Sequence, residues 1–211
     1  MKGYVSGYKE MIIPFNYFTR EEAVGLMVVL PGSGYTAQAP LLHYANHFSE
    51  QLHYDLLQVT YNYNDEAYDD FTNEELGEAI KIDVQTVIDA ILGKKHYPNY
   101  CFIAKSLGTI ALSSELMREE FKNAKAVWQT PLIHREDVLT SMRNSTQKGL
   151  SIIGDADQIY SEERVALVEQ NPNMISKVIP RVGHALDVEG NALKSIDILK
   201  EVMTEIQEFL K

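Results

Sequence analysis

The chain has 211 residues, 30 of them acidic and 19 basic, for a formal net charge of −11. One domain over residues 1–211 would bury about 70% of its unfolded surface, and 45% apolar with 23% charged content excludes a disordered chain. The acidic balance repels nucleic acid and anionic membrane surfaces, and the densest basic stretch, Lys94-Lys95-His96, follows an apolar helical run where cations suit the helix C-terminus.

The first residues, Met1 to Lys9, lack the apolar stretch of a signal peptide, and no later segment approaches the length of a membrane span, so a cytoplasmic location is expected. Short apolar runs rich in β-branched residues then follow at 11–18, 25–30, 56–61, 101–104, 126–128, 149–153 and 175–179. The first alternates and contains Pro14, which suits an antiparallel strand near a sheet edge; the others are continuous, as in strands covered on both faces. Helical stretches are expected at 38–52, 73–92, 107–122, 136–144, 162–170 and 191–210. In the second of these, Leu76, Ile80, Val84, Val87, Ile88 and Ile91 recur at steps of three and four and form one apolar face. Strands alternating with helices predict an α/β fold with a mostly parallel sheet, which binds ligands at the carboxyl ends of its strands. Cys101, the only cysteine, lies inside an apolar run and reads as a small buried hydrophobe.

Four strand ends carry the residues of interest. Ala104-Lys105-Ser106-Leu107-Gly108 reads as a strand turning at once into a helix, with small residues two before and two after a serine at the corner. A serine before an apolar helical run also serves as a helix cap, so this segment alone leaves both uses open. After the run 149–153 comes Gly154-Asp155-Ala156-Asp157, and after the run 175–179 comes Gly183-His184. The order Ser, Asp, His suits a nucleophile, an orienting acid and a general base. Histidine is needed because its near-neutral pKa lets it take and return the serine proton. Asp157 is favoured as the acid from its place in the turn, with Asp155 as the competitor. An oxyanion hole requires two backbone N–H groups. Leu107, directly after Ser106, supplies one. The Leu30-Pro31-Gly32-Ser33-Gly34-Tyr35 turn supplies the other, at Ser33, or at Gly34 or Tyr35 if the turn is displaced.

On these motifs the sequence resembles the α/β-hydrolase superfamily, most closely its small members related to dienelactone hydrolases and carboxylesterases. The resemblance runs from about Met11 to Leu210 and implies an eight-stranded sheet, a Ser106-His184-Asp157 triad and a covalent acyl-enzyme. It departs from the common pattern at Ala104, where the first elbow glycine usually stands, and at Pro31, where many relatives have histidine. Only one ordinary helix fits between Thr130 and Lys148, so no substantial cap is expected. The implied chemistry is hydrolysis of a carboxylic ester or thioester of a small soluble substrate, without metal or other cofactor. A non-catalytic binding or scaffolding protein on the same fold, and a peptidase or carbon–carbon hydrolase with the same triad, are the alternatives.

Tyr35 and His134 are expected substrate-pocket residues, with Tyr61 and Tyr63 as further aromatic residues after strands. His43 and His47 stand four apart on a helix, with His53 following, but no third and fourth zinc ligands can be placed. The acidic segment 64–70 lacks the spacing of a calcium loop and is expected to be an exposed loop.

Overall fold

The computed structural model describes residues 1–211. Its strands are β1 (Lys2–Ser6), β2 (Ile12–Phe18), β3 (Gly25–Leu30), β4 (Tyr54–Val59), β5 (Tyr100–Lys105), β6 (Lys125–Gln129), β7 (Lys148–Gly154) and β8 (Met174–Ile179). They form one eight-stranded sheet in the order β1-β2-β4-β3-β5-β6-β7-β8. Only β2 runs against its neighbours. Pro14 is tolerated because it lies just beyond the last residue of β2 that pairs with β4, and its carbonyl still accepts from Thr60 N.

The helices are α1 (Pro40–Asn46), α2 (Phe48–Gln51), α3 (Asn73–Leu92), α4 (Gly108–Glu115), α5 (Glu136–Asn144), α6 (Glu162–Glu169) and α7 (Ala192–Leu210). Alternation along the central strands feeds two cores. In β3, Leu26, Val28 and Leu30 face the core built with α3, α4, α5 and α6, while Met27 and Val29 face the core built with α1 and α7. All six residues of β3 are buried, as a strand covered on both faces requires. The α3 face foreseen from periodicity is buried at Ile80, Val84, Val87, Ile88 and Ile91, and Thr72 caps the helix by accepting from Glu75 N.

Three elements depart from expectation. β1 was not foreseen because its residues alternate between exposed and half-buried at the sheet edge and carry little apolar signal. The stretch 38–52 divides at His47 into two helices, the first opening with Pro40 at its first position. The stretch 107–122 ends as an α-helix at Glu115. Arg118 then takes an extended backbone conformation that turns Phe121 under the sheet, edge-on to Phe102 at 4.9 Å between ring centroids.

β3 and β5 are neighbours, yet the helices after them, α1 and α4, pack on opposite faces. That reversal marks a topological switch point at the carboxyl edge, the place where open α/β sheets bind ligands. No helix is long and apolar enough to cross a membrane.

Candidate active site

Ser106 follows β5 directly with φ of 48°, the left-handed region that disfavours side chains. Such a conformation costs about 1–3 kcal/mol and persists only where the surroundings enforce it. Here Ser106 N donates to Gln129 O on β6 at 2.9 Å, and Thr109 Oγ1 donates to Ser106 O. Gly108 permits the following helix to lie against β3, since a Cβ there would sit 2.3 Å from Leu30 O. Ala104, in place of the usual glycine, is fully buried in the adjoining core.

The His184 loop is also strained, with Arg181 and Leu186 at φ of 61° and 55°. It is drawn over the end of β7 by Ala156 N donating to Val182 O at 3.1 Å. Gly154 makes this approach possible, because a Cβ there would fall 1.9 Å from that same oxygen. The loop places His184 Nε2 at 2.8 Å from Ser106 Oγ and Nδ1 at 2.7 Å from Asp157 Oδ2. The other Asp157 oxygen accepts from Ile159 N at 2.9 Å, and the carboxylate is wholly buried. Burial pushes its pKa up, but the hydrogen bonds from His184 and Ile159 N, with the charges of His184 and Lys105, outweigh burial and hold it below the ordinary value. An ionised Asp157 can only accept, so the imidazole proton sits on Nδ1 and Nε2 is free to accept from the serine.

Asp155, the competitor, is exposed and accepts from Arg181 N, which steadies the strained loop from outside. At the turn after β3, Gly32 and Tyr35 bond each other's backbones, so the Tyr35 amide is already engaged. The amides of Ser33, Gly34 and Leu107 donate to no group of the chain. Gly32 lies beside the serine, and a Cβ there would be 3.2 Å from Ser106 Cβ.

Tyr35 borders two clefts. One of about 390 Å³ includes Gly32, Gly34, Tyr61 and Asn62, and another of about 240 Å³ includes Leu41, Ala185, Leu186 and Leu199. A larger cleft of about 540 Å³, lined by Ser113, Glu136 and Gln147 among others, lies among α3, α4 and α5. None of the three is lined by Ser106 or His184, but the two smaller ones reach their neighbours Gly32 and Ala185. Tyr61 donates to Pro31 O at 2.6 Å beneath the turn, whereas Tyr63 is buried against Asp83, to which it donates at 2.5 Å. His134 is exposed on the loop after β6 and makes no hydrogen bond. His43 and His47 pack edge to face on the exposed side of α1 and its end, 5.4 Å between ring centroids, with His47 Nδ1 3.9 Å from Glu50.

Two residues here went unnoticed in the sequence. Asn64, in the exposed acidic loop, accepts from Ser33 Oγ at 2.5 Å and thereby braces the turn after β3. Lys105 is buried beside the serine, and its signal was a lone charge closing an otherwise apolar strand.

No protein-family model and no curated protein sequence matches the chain. Solved structures do. An esterase from Pyrococcus furiosus aligns over 100% of this chain and 91% of its own, with a TM-score of 0.76 and 14% identity. A lidless α/β serine hydrolase from Xanthomonas campestris aligns over 99% and 94%, with a TM-score of 0.69 and 15% identity. Est1E from Butyrivibrio proteoclasticus, solved with ferulic acid bound, aligns over 99% of both chains, with a TM-score of 0.71 and 12% identity. Between β6 and β7 the present chain carries only the nine-residue α5, leaving no room for a cap. From end to end, then, this is an α/β-hydrolase fold of the lidless form.

Proposed function

We propose that the chain is a serine hydrolase that cleaves a carboxylic ester or thioester of a small soluble substrate. The observation that carries this reading is the continuous hydrogen-bonded path from Asp157 through His184 to a serine held at a strained corner. Ser106 Oγ attacks the substrate carbonyl carbon while its proton passes to His184 Nε2. The carbonyl oxygen becomes negative and is held by the amides of Ser33 and Leu107, each such donor lowering the barrier by roughly 3–4 kcal/mol. The carbon–oxygen or carbon–sulfur bond then breaks, and the leaving group takes the proton from His184. Water enters, gives a proton to His184 and attacks the acyl-enzyme. Release of the acid returns that proton to Ser106. Asp157 stays ionised throughout, orienting the imidazole and offsetting its transient positive charge.

The clefts beside Tyr35, about 390 and 240 Å³, adjoin the serine and the histidine through Gly32 and Ala185 and have room for small groups. The esterases and serine hydrolases that share the fold are in keeping with this chemistry. Hydrolysis of p-nitrophenyl acetate by the wild-type chain and by Ser106→Ala tests it. The variant should be slower by at least about 10³-fold with its fold unchanged, because triad members act as a unit. Equal rates in the two proteins would overturn the proposal. A parallel panel of thioester, amide and diketone substrates separates the ester reading from a peptidase or carbon–carbon hydrolase.

A further inference from the structure

Lys105 is the last residue of β5, adjacent to Ser106, and only 1% of its surface is exposed. Its ammonium has three N–H donors. Nζ donates to Thr130 Oγ1 and to the His184 carbonyl, each at 2.9 Å, and lies 4.7 Å from the centre of the Tyr35 ring. These partners belong to three different segments that meet at the serine: the end of β6, the His184 loop and the turn after β3. The Tyr35 hydroxyl in turn accepts from Leu41 N on α1 at 3.0 Å, so the ring is fixed at both ends. The side chain beside Lys105 in the sheet is the uncharged Gln129, and no carboxylate is within ion-pair distance of Nζ.

A buried ammonium without an ion pair costs stability, and an apolar side chain of similar length would serve the core better. What the charge does provide is a single point of attachment for all three segments. Two of them are strained, since Thr130 has φ of 43° and the His184 loop contains Arg181 and Leu186. Strained loops hold their geometry only if the surrounding contacts over-determine it.

We propose that Lys105 is a positioning residue whose protonated ammonium clamps the His184 backbone and the Tyr35 turn against Ser106. The proposal rests on the serine-hydrolase reading for its kinetic part and on the contacts alone for its structural part. A clamp that works by charge-assisted hydrogen bonds and by cation–π attraction weakens when the proton leaves, because the neutral amine can still donate to both acceptors but loses its charge. Burial lowers the Lys105 pKa, the charges of Asp157 and Asp187 oppose that, and the result is about 8. The titratable groups facing it are therefore Asp157, Asp187, Tyr35 and His184. Activity should fall as pH rises through about 8. Fold stability should move the other way. Because the folded pKa lies below the unfolded 10.5, the unfolded chain binds more protons between the two values, and the Lys105 contribution to stability rises with pH there. A role in packing alone would not separate the two.

The test compares wild type with Lys105→Met, which keeps the length of the stem and removes the charge. Lys105→Met should lower kcat for p-nitrophenyl acetate by about 10–100-fold while KM changes less than about threefold, the pattern of lost alignment. It should also lose the alkaline fall in rate, and its 180–190 peptide should exchange amide hydrogens faster. Thr130→Ala, a milder variant that also serves if Lys105→Met does not fold, removes one acceptor from the ammonium and should move the fall in rate to lower pH. Unchanged kcat and unchanged exchange in Lys105→Met, or an alkaline limb unmoved in Thr130→Ala, would overturn the clamp. A wild-type chain without hydrolytic activity overturns the hydrolase reading instead, and the exchange comparison still decides for or against the clamp.

Discussion

Two aspartates with wholly buried carboxylates sit at opposite edges of the same sheet. Asp55, near the amino end of β4, accepts from Tyr17 OH, Tyr97 OH, Lys95 Nζ and Arg20 N at 2.6–3.0 Å. Asp157, beyond the carboxyl end of β7, accepts from His184 and from Ile159 N only. Their cationic or potentially cationic partners are similarly exposed, 39% for Lys95 and 34% for His184. For both carboxylates burial raises the pKa and hydrogen bonding more than reverses it. Burial and a depressed pKa therefore do not tell the two apart. The difference lies one residue further on. The partners of Asp55 end in the fold: two phenols, a lysine and a backbone amide. The partner of Asp157 is an imidazole whose second nitrogen meets a strained serine.

That contrast breaks most readily by exchanging each carboxylate for an amide. Asp157→Asn should lower kcat on an ester by about 10³–10⁴-fold through loss of the correct imidazole tautomer, with thermal unfolding little changed. Asp55→Asn should do the reverse. The rate per folded molecule stays within about twofold, while urea unfolding reports a loss of about 2–4 kcal/mol from donors left without a charged acceptor. The smallest effect sharpens the comparison from the acid side. Both folded pKa values lie below their ordinary ones, so each carboxylate contributes stability that is fully present above the unfolded pKa and lost as pH falls through the folded value. The stability gap between wild type and Asp55→Asn should accordingly narrow as pH drops below about 4.

The sequence carried the second of these regions better than the first. Ser106, Asp157 and His184 each lie within five residues of the end of an apolar strand, and a parallel sheet brings such positions to one edge whatever the helices between them do. The Asp55 cluster leaves no such mark. Its members lie at 17, 20, 55, 95 and 97 in unrelated local patterns, and only the pairing of β2 with β4 and the approach of the segment before β5 bring them together. Lys105 was hidden by its own motif, because the residue before the corner serine counts as variable and its partners come from three separate segments. Asn64 was hidden by composition, since an acidic exposed loop reads as solvated until Ser33 is seen to donate to it. Strand β1 is legible only as a partner for β2, never from its own residues.

The central claim is that His184 and Asp157 make Ser106 a nucleophile. Its most direct measurement is intact and peptide mass spectrometry after treatment of the folded wild-type chain, Asp157→Asn and Ser106→Ala with a fluorophosphonate. The account predicts a single covalent adduct on the peptide containing Ser106 in wild type, slowed by orders of magnitude in Asp157→Asn and absent in Ser106→Ala. A folded wild-type chain that takes no label, or takes it equally well without Ser106, would contradict it.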